Sequence, residues 1–249
     1  MKTTYMTQGT CCQAFEIETE DGKVKDVKFY GGCNGNLQGI CSLICGMKME
    51  DVVERLKGIR CGAKPTSCPD QLATALTQII ENEKYAMTTK KAIFAAGCFW
   101  GVQHQMQRIA GVVDTVVGYT GGEELNPTYP EVKAHLTHHV EAIEVTYDAS
   151  VVDYATLCKV FFEIHDPAQT DGIGPDLGPQ YRSEVFYADA EQKSIAEGII
   201  ADLRSRGYEV NTVLRPAERF WHAEEYHQHY YDKTGGEPYC HIREKKFEW

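Results

Sequence analysis

The sequence predicts an α+β chain made of two units. Three observations carry that expectation. Short apolar runs that read as strands recur between stretches of helical spacing, the alternation of a layered architecture. The pattern lapses once, between Asn82 and Lys91. A length of 249 residues with a 43% hydrophobic share suffices for two domains, and no stretch nears the ~20 apolar residues of a membrane span. We expect a small α/β cysteine-rich unit over 1–86 and a two-layer α+β sandwich over 87–249.

In the first unit Phe15 and Ile17 alternate with Glu16 and Glu18, Asp21-Gly22 marks a hairpin turn, and Val27 with Phe29 resumes the alternation. Ile40, Leu43 and Ile44 keep helical spacing up to a cap at Gly46, and Val53 and Leu56 predict a second short helix. Leu72, Ala75, Leu76, Ile79 and Ile80 form the stripe of a third, entered through Ser67-Cys68-Pro69-Asp70.

The second unit opens with the strand Ala92 to Ala96 and a helix from Cys98. Strands follow at Val112 to Tyr119 and Val140 to Tyr147, then a helix bearing Leu157, Phe161 and Ile164. Beyond a loop rich in Gly and Pro come the strand Glu184 to Ala188 and a helix with Ile195, Ile199 and Leu203, opened by Asp189 and Gln192 and stopped by Gly207. Tyr208 to Val213 is expected to add a strand and Pro216 to Tyr231 a last helix.

Charge and composition narrow the function. Of the net charge of -11, -10 sits in the second unit, where 15 Lys and Arg face 25 Asp and Glu, against 10 and 11 in residues 1–86. Neither part has the basic excess that nucleic-acid binding requires. Met1 to Thr10 lacks the apolar core of a signal peptide, so a cytoplasmic location is expected. There, ten cysteines point to ligands, catalysts or core residues rather than disulfide staples.

Gly97-Cys98-Phe99-Trp100 places a cysteine at a strand-to-helix turn. The free N–H groups of the first helical turn favour a thiolate there, and two large aromatics can wall an apolar pocket beside the sulfur. A small core residue is the other reading of Cys98. In the strand Val140 to Tyr147, Glu141 falls on the side of Ile143, Val145 and Tyr147. A carboxyl on that apolar face would stay protonated, a candidate acid; an edge glutamate in solvent, like Glu144, is the alternative. His222, His227 and His229 lack the His-Glu-x-x-His spacing of a zinc helix, and Gly172 to Gly178 has neither P-loop nor dinucleotide spacing.

After Gly97-Cys98-Phe99-Trp100 come Gly118-Tyr119-Thr120-Gly121-Gly122, Asn126-Pro127-Thr128-Tyr129, Val140-Glu141-Ala142, His165-Asp166-Pro167, Asp176-Leu177-Gly178-Pro179-Gln180-Tyr181-Arg182-Ser183 and Tyr239-Cys240. In this order they resemble the peptide methionine sulfoxide reductase A family, over about residues 88–249. The resemblance implies a split β-α-β (ferredoxin-like) fold and reduction of methionine-S-sulfoxide, free or in proteins, without a catalytic cofactor. It assigns Cys98 as the nucleophile that becomes a sulfenic acid and Glu141 as the acid that protonates the sulfoxide oxygen. Tyr129 and Tyr181 hold that oxygen, Asp176 orders the site and its water, and Phe99 and Trp100 cage the substrate methyl. Cys240, in a tail expected to be flexible, resolves the sulfenic acid to a disulfide that thioredoxin or a similar dithiol reduces. Only His241 to Trp249 follow it, so a relay through a third tail cysteine is not expected. The rival reading is a thiol or metal redox sensor whose second unit only binds oxidised methionine.

Residues 1–82 resemble the small domain named for Thr66-Ser67-Cys68-Pro69-Asp70, with Gly31-Gly32-Cys33-Asn34-Gly35-Asn36 and Arg60-Cys61-Gly62 matching as well. The motif cysteines Cys11, Cys33, Cys61 and Cys68 could close a tetrahedral zinc or iron–sulfur site; a redox role for these thiols, or plain burial, are the alternatives.

Overall fold

The computed structural model describes residues 1–173 and 176–249 and divides the chain into two units, Met1–Met87 and Thr88–Trp249. In the first, β1 (Lys2–Met6), β2 (Cys12–Glu20) and β3 (Lys23–Gly31) form an antiparallel sheet in that order. Asp21 and Gly22, at φ +49° and +72°, make the tight β2–β3 turn. β1 escapes the sequence reading because it is an edge strand with no fully buried residue.

Three helices follow: α1 (Asn34–Ile44), α2 (Met49–Leu56) and α3 (Cys68–Thr88). They cover a core in which Phe15 and Ile17 of β2 meet Leu72 and Leu76 of α3. The Thr66-to-Asp70 motif works as the entry cap of α3. Ser67 Oγ accepts the N–H of Asp70 at 3.2 Å while donating to the Ile59 carbonyl at 2.6 Å. The Asp70 carboxylate accepts the Gly58 N–H and the Thr66 hydroxyl, each at 2.6 Å. The stretch 82–91, where apolar spacing lapses, holds no loop: α3 runs on to Thr88 and β4 begins at Thr89. Asn82-Glu83-Lys84 includes good helix formers, whose helix needs no apolar stripe on an open face.

The second unit runs β4 (Thr89–Ala96), α4 (Phe99–Met106), β5 (Val112–Thr120), α5 (Tyr129–Lys133), β6 (Val140–Asp148) and α6 (Tyr154–Glu163). After the short pair β7 (Gly172–Ile173) and β8 (Asp176–Leu177) and a 3-10 turn at Pro179–Tyr181 come β9 (Ser183–Tyr187), α7 (Ala190–Ser205), β10 (Val213–Pro216), β11 (Trp221–His222) and α8 (Tyr230–Thr234). The sheet order is β10-β9-β4-β6-β5-β11, antiparallel except for β9–β10. β4 is apolar throughout its second half because both faces are covered: Phe94 and Ala96 join Ile143, Val145, Leu157 and Phe161, while Ile93 and Ala95 join Val140, Ala142 and Phe186.

Two expectations fail here. The late strand lies at Val213–Pro216 rather than 208–213, and residues 216–231 are not a helix. Instead Trp221 and His222 pair with Tyr119 and Gly118 of β5, residues 225–229 turn, and of the segment only Tyr230 and Tyr231 are helical, at the start of α8. Gly118 permits the pairing, because a Cβ there would lie 2.2 Å from the Trp221 carbonyl oxygen. The side chain of Gln228 takes a strand's place by accepting the Val117 N–H and donating to the Val117 carbonyl, both at 2.9 Å.

The C-terminal tail, expected to be flexible, is fastened. Buried Glu163 accepts from the backbone N–H groups of Lys246 (2.9 Å) and Phe247 (3.1 Å), from the Trp249 indole (3.0 Å) and from the Arg243 guanidinium (2.8 Å). Burial pushes the Glu163 carboxyl up, but these donors outweigh it and hold the group below its ordinary value.

Removing this acceptor should cost about 2–3 kcal/mol. Glu163→Ala is expected to lower the urea midpoint read from tryptophan fluorescence, which reports the second unit because Trp100, Trp221 and Trp249 all lie there. Since the folded pKa is depressed, the stabilisation is complete above the ordinary value of 4.5 and fades as pH falls through the lower one, so wild type and variant should converge in acid. An unchanged midpoint at neutral pH would contradict the clamp.

Candidate active site

At the end of β4, Gly97 adopts φ +95° and turns the chain so that Cys98 becomes the N-cap residue of α4. Its side chain is nearly covered. Glu141 reaches the same helix end from β6, its Oε2 accepting the Phe99 N–H at 3.1 Å. Burial first, then the neighbouring Cys98 and Asp176, raise the Glu141 carboxyl well above its ordinary value, against the downward pull of the Phe99 N–H. Its surroundings therefore favour the protonated form.

The thiolate expected at Cys98 is not the resting state. The Trp100 backbone pulls the thiol pKa down as anticipated, but the hydrogen bond with the Cys240 thiol, and then burial, push it up by more. The same bond lowers Cys240. The two sulfurs are thus already partners in the reduced protein.

Tyr129, Tyr181 and Asp176 complete the cluster. Burial, then the nearby Glu141 and Cys98, raise both phenols, so they remain protonated donors. Asp176 accepts the Tyr239 hydroxyl at 2.9 Å and acts on Cys98, Glu141 and Cys240 alike. Phe99 is fully buried against Tyr119 and His227, with ring centroids 5.9 and 5.1 Å away. Trp100 stacks on Tyr230 at 3.7 Å and donates its indole N–H to His227 Nδ1 at 3.0 Å.

Glu224 and His227 are supporting residues that the sequence does not betray. Glu224 accepts the Tyr129 N–H at 2.8 Å through one oxygen and the Tyr119 hydroxyl at 2.9 Å through the other, anchoring α5 beside the site. Glu224 follows β11 and His227 lies in the turn 225–229, where no periodicity reveals which side chains point inward.

In the first unit, Cys11, Cys33, Cys61 and Cys68 line one cavity of about 200 Å³. Cys11 and Cys68 Sγ are 3.9 Å apart, and the Cys11 thiol also bonds toward Cys33. A tetrahedron with Zn–S of about 2.3 Å has sulfur–sulfur edges of about 3.8 Å, so this pair fits a zinc edge. Among the described residues, a closer set of ligand atoms belongs to Asp26, Cys41 and Cys45, all within 4.8 Å of one another.

Comparison with known proteins bears on the family of each unit. Residues 90–248 match the family Peptide methionine sulfoxide reductase, and residues 1–80 match the TSCPD domain. The chain is 45% identical over 150 residues to Peptide methionine sulfoxide reductase MsrA of Nautilia profundicola, covering 60% of this chain and 87% of that one. It is 41% identical over 189 residues to the MsrA of Methanosarcina mazei, covering 74% and 89%. Among solved structures, the reduced form of Mxr1 from Saccharomyces cerevisiae superposes with a TM-score of 0.60 at 34% identity, covering 64% of this chain and 94% of that one. Methionine sulfoxide reductase A of Corynebacterium diphtheriae gives 0.54 at 34%, covering 59% and 76%.

The neutral state of Glu141 is open to direct measurement. Difference infrared spectra of wild type against Glu141→Gln should contain a protonated-carboxyl band at pH 7. A carboxylate band alone at pH 7 would contradict the burial argument.

Proposed function

The chain belongs to the peptide methionine sulfoxide reductase family, and from that premise we propose that it reduces the S epimer of methionine sulfoxide, free or in proteins, through the cluster around Cys98. The observation that carries the reading is the meeting of a buried thiol, a neutral carboxyl, two protonated phenols and a second thiol at one helix end. Those are the groups that deoxygenation of a sulfoxide needs.

The Cys98 sulfur attacks the substrate sulfur while Glu141 protonates the oxygen, which the hydroxyls of Tyr129 and Tyr181 hold. Asp176 orders the site, and Phe99 and Trp100 shelter the methyl group. The oxygen then passes with its bonding pair from the substrate sulfur to the Cys98 sulfur as the new sulfur–sulfur bond breaks, methionine leaves with the electron pair of that bond, Cys98 is left as a sulfenic acid, and the proton that Cys98 lost returns to Glu141. Cys240 then attacks the sulfenic sulfur, water leaves, and a Cys98–Cys240 disulfide forms. A dithiol such as thioredoxin reduces it by exchange. A cavity of about 480 Å³ lined by Tyr239 and Cys240 supports approach from that side. Every step uses side chains and the incoming dithiol.

The order β9-β4-β6-β5, with α4 after β4 and α6 after β6, supports reading the sheet as the split β-α-β arrangement with β10 and β11 added at its edges. Ten free thiols support a cytoplasmic setting. No helix among the described residues is long and apolar enough to cross a membrane. We assign the first unit, residues 1–86, an accessory role in which Cys11, Cys33, Cys61 and Cys68 hold a structural zinc or, failing that, an iron–sulfur group.

Cys98→Ser should abolish methionine formation. Cys240→Ser should release about one methionine per protein and then stall, because the first half-reaction needs only Cys98 and the acids. Sustained thioredoxin-driven turnover in Cys240→Ser would pass the resolving role to another thiol. For the first unit, full-length protein prepared without chelator should contain about one zinc per chain, lose it in Cys68→Ser, and melt at lower temperature when chelated. Metal-free protein with all four thiols titrating and an unchanged melting point would contradict the zinc assignment.

A further inference from the structure

Beside Cys240 the tail buries a second titratable group, His241, which the scheme above leaves without work. Its Nε2 lies 2.8 Å from the Ala96 carbonyl oxygen at the end of β4. A carbonyl can only accept, so Nε2 carries the ring proton. Burial lowers the imidazole pKa below its ordinary value, and the ring is neutral at pH 7. Nδ1 is therefore a bare lone pair. It faces Cys240 Sγ at 3.0 Å and accepts the S–H of that thiol.

The ring has little freedom to do otherwise. A Cβ at position 101 would lie 2.3 Å from Nδ1, so α4 admits the imidazole only because Gly101 has no side chain. Gln105 donates to the His241 carbonyl at 2.7 Å and fixes the backbone. One nitrogen is anchored to the strand that leads into Cys98, and the other is aimed at the resolving sulfur.

We propose that His241 is the general base that takes the proton of Cys240 as this thiol attacks the Cys98 sulfenic acid. The proposal rests on the reading of Cys98 and Cys240 given above and deepens it. As the Cys240–Cys98 bond forms, the Cys240 proton moves to His241 Nδ1 and the sulfur–oxygen bond of the sulfenic acid breaks. The departing oxygen keeps the sulfenic hydrogen and collects the proton from Nδ1, leaving as water. The sulfenic sulfur is reduced and the Cys240 sulfur oxidised, so no outside oxidant enters. The titratable groups that face or act on the imidazole are the Cys240 thiol, the Asp176 carboxylate, which favours the imidazolium, and His165, itself pushed down to about 3 by burial and therefore neutral during turnover.

The test separates the two half-reactions. One equivalent of methionine sulfoxide is added to reduced full-length protein, released methionine reports the first step, and loss of titratable thiol reports the disulfide. His241→Gln keeps a donor for the Ala96 carbonyl but has no basic nitrogen. The first methionine should appear within about twofold of the wild-type rate, while disulfide formation at pH 7 slows by about 10²-fold. In the variant that rate should climb about tenfold per pH unit as the thiol ionises unaided, whereas the wild-type rate should stay nearly level between about pH 6 and 9. A wild-type disulfide rate in the variant, an equal slowing at every pH, or loss of the first methionine as well would each overturn the proposal. So would a wild-type rate that itself climbs tenfold per unit, which requires no variant. If wild type releases no methionine at all, the reading of the site fails instead, and the same disulfide measurement is made on a Cys98 sulfenic acid formed with hydrogen peroxide.

Discussion

The Glu141 carboxyl accepts the Phe99 N–H at 3.1 Å, and that bond joins β6 to the end of α4 where Cys98 sits. A helix N-terminus needs acceptors for its free N–H groups, and Cys98, as N-cap, makes no side-chain cap of its own. Glu141 fills the vacancy from a neighbouring strand. Because the carboxyl is buried, its neutral form is favoured there. With the Cys98 thiol also pushed toward its neutral form, the resting site carries little charge.

The tail depends on a second buried carboxylate. Glu163 gathers Arg243, Lys246, Phe247 and Trp249 at the end of α6, and this holds the preceding residues Cys240 and His241 under the β4–α4 turn. A thiol placed in advance beside Cys98 avoids the entropy of a search by a loose tail. Cys240 is buried there, with Tyr239 beside it lining the same cavity.

Much of this was legible in the sequence, for physical reasons that can be named. Strand alternation has a period of two, so the inward direction of Glu141 follows from Ile143, Val145 and Tyr147. The turn at Gly97-Cys98 follows from an apolar run meeting helical spacing. What stayed hidden depends on partners distant in the chain. Residues 216–231 have the composition of a helix, yet Gly118 and Gln228 give their backbone a better partner in β5. The tail looked loose because its anchor, Glu163, is 80 residues away from Arg243 and reads as one more helical glutamate. The expected thiolate at Cys98 weighed the helix end alone, since nothing local reveals that Cys240 lies against it.

Stereochemistry tests the central claim most directly, since only catalysis at a shaped site consumes one sulfoxide epimer and spares the other. Racemic methionine sulfoxide, free and in a short peptide, is incubated with the protein and excess dithiothreitol, and the epimers are separated over time. The S epimer should disappear through many turnovers per chain while the R epimer remains. Persistence of both epimers, or loss of both at equal rates, would contradict the account.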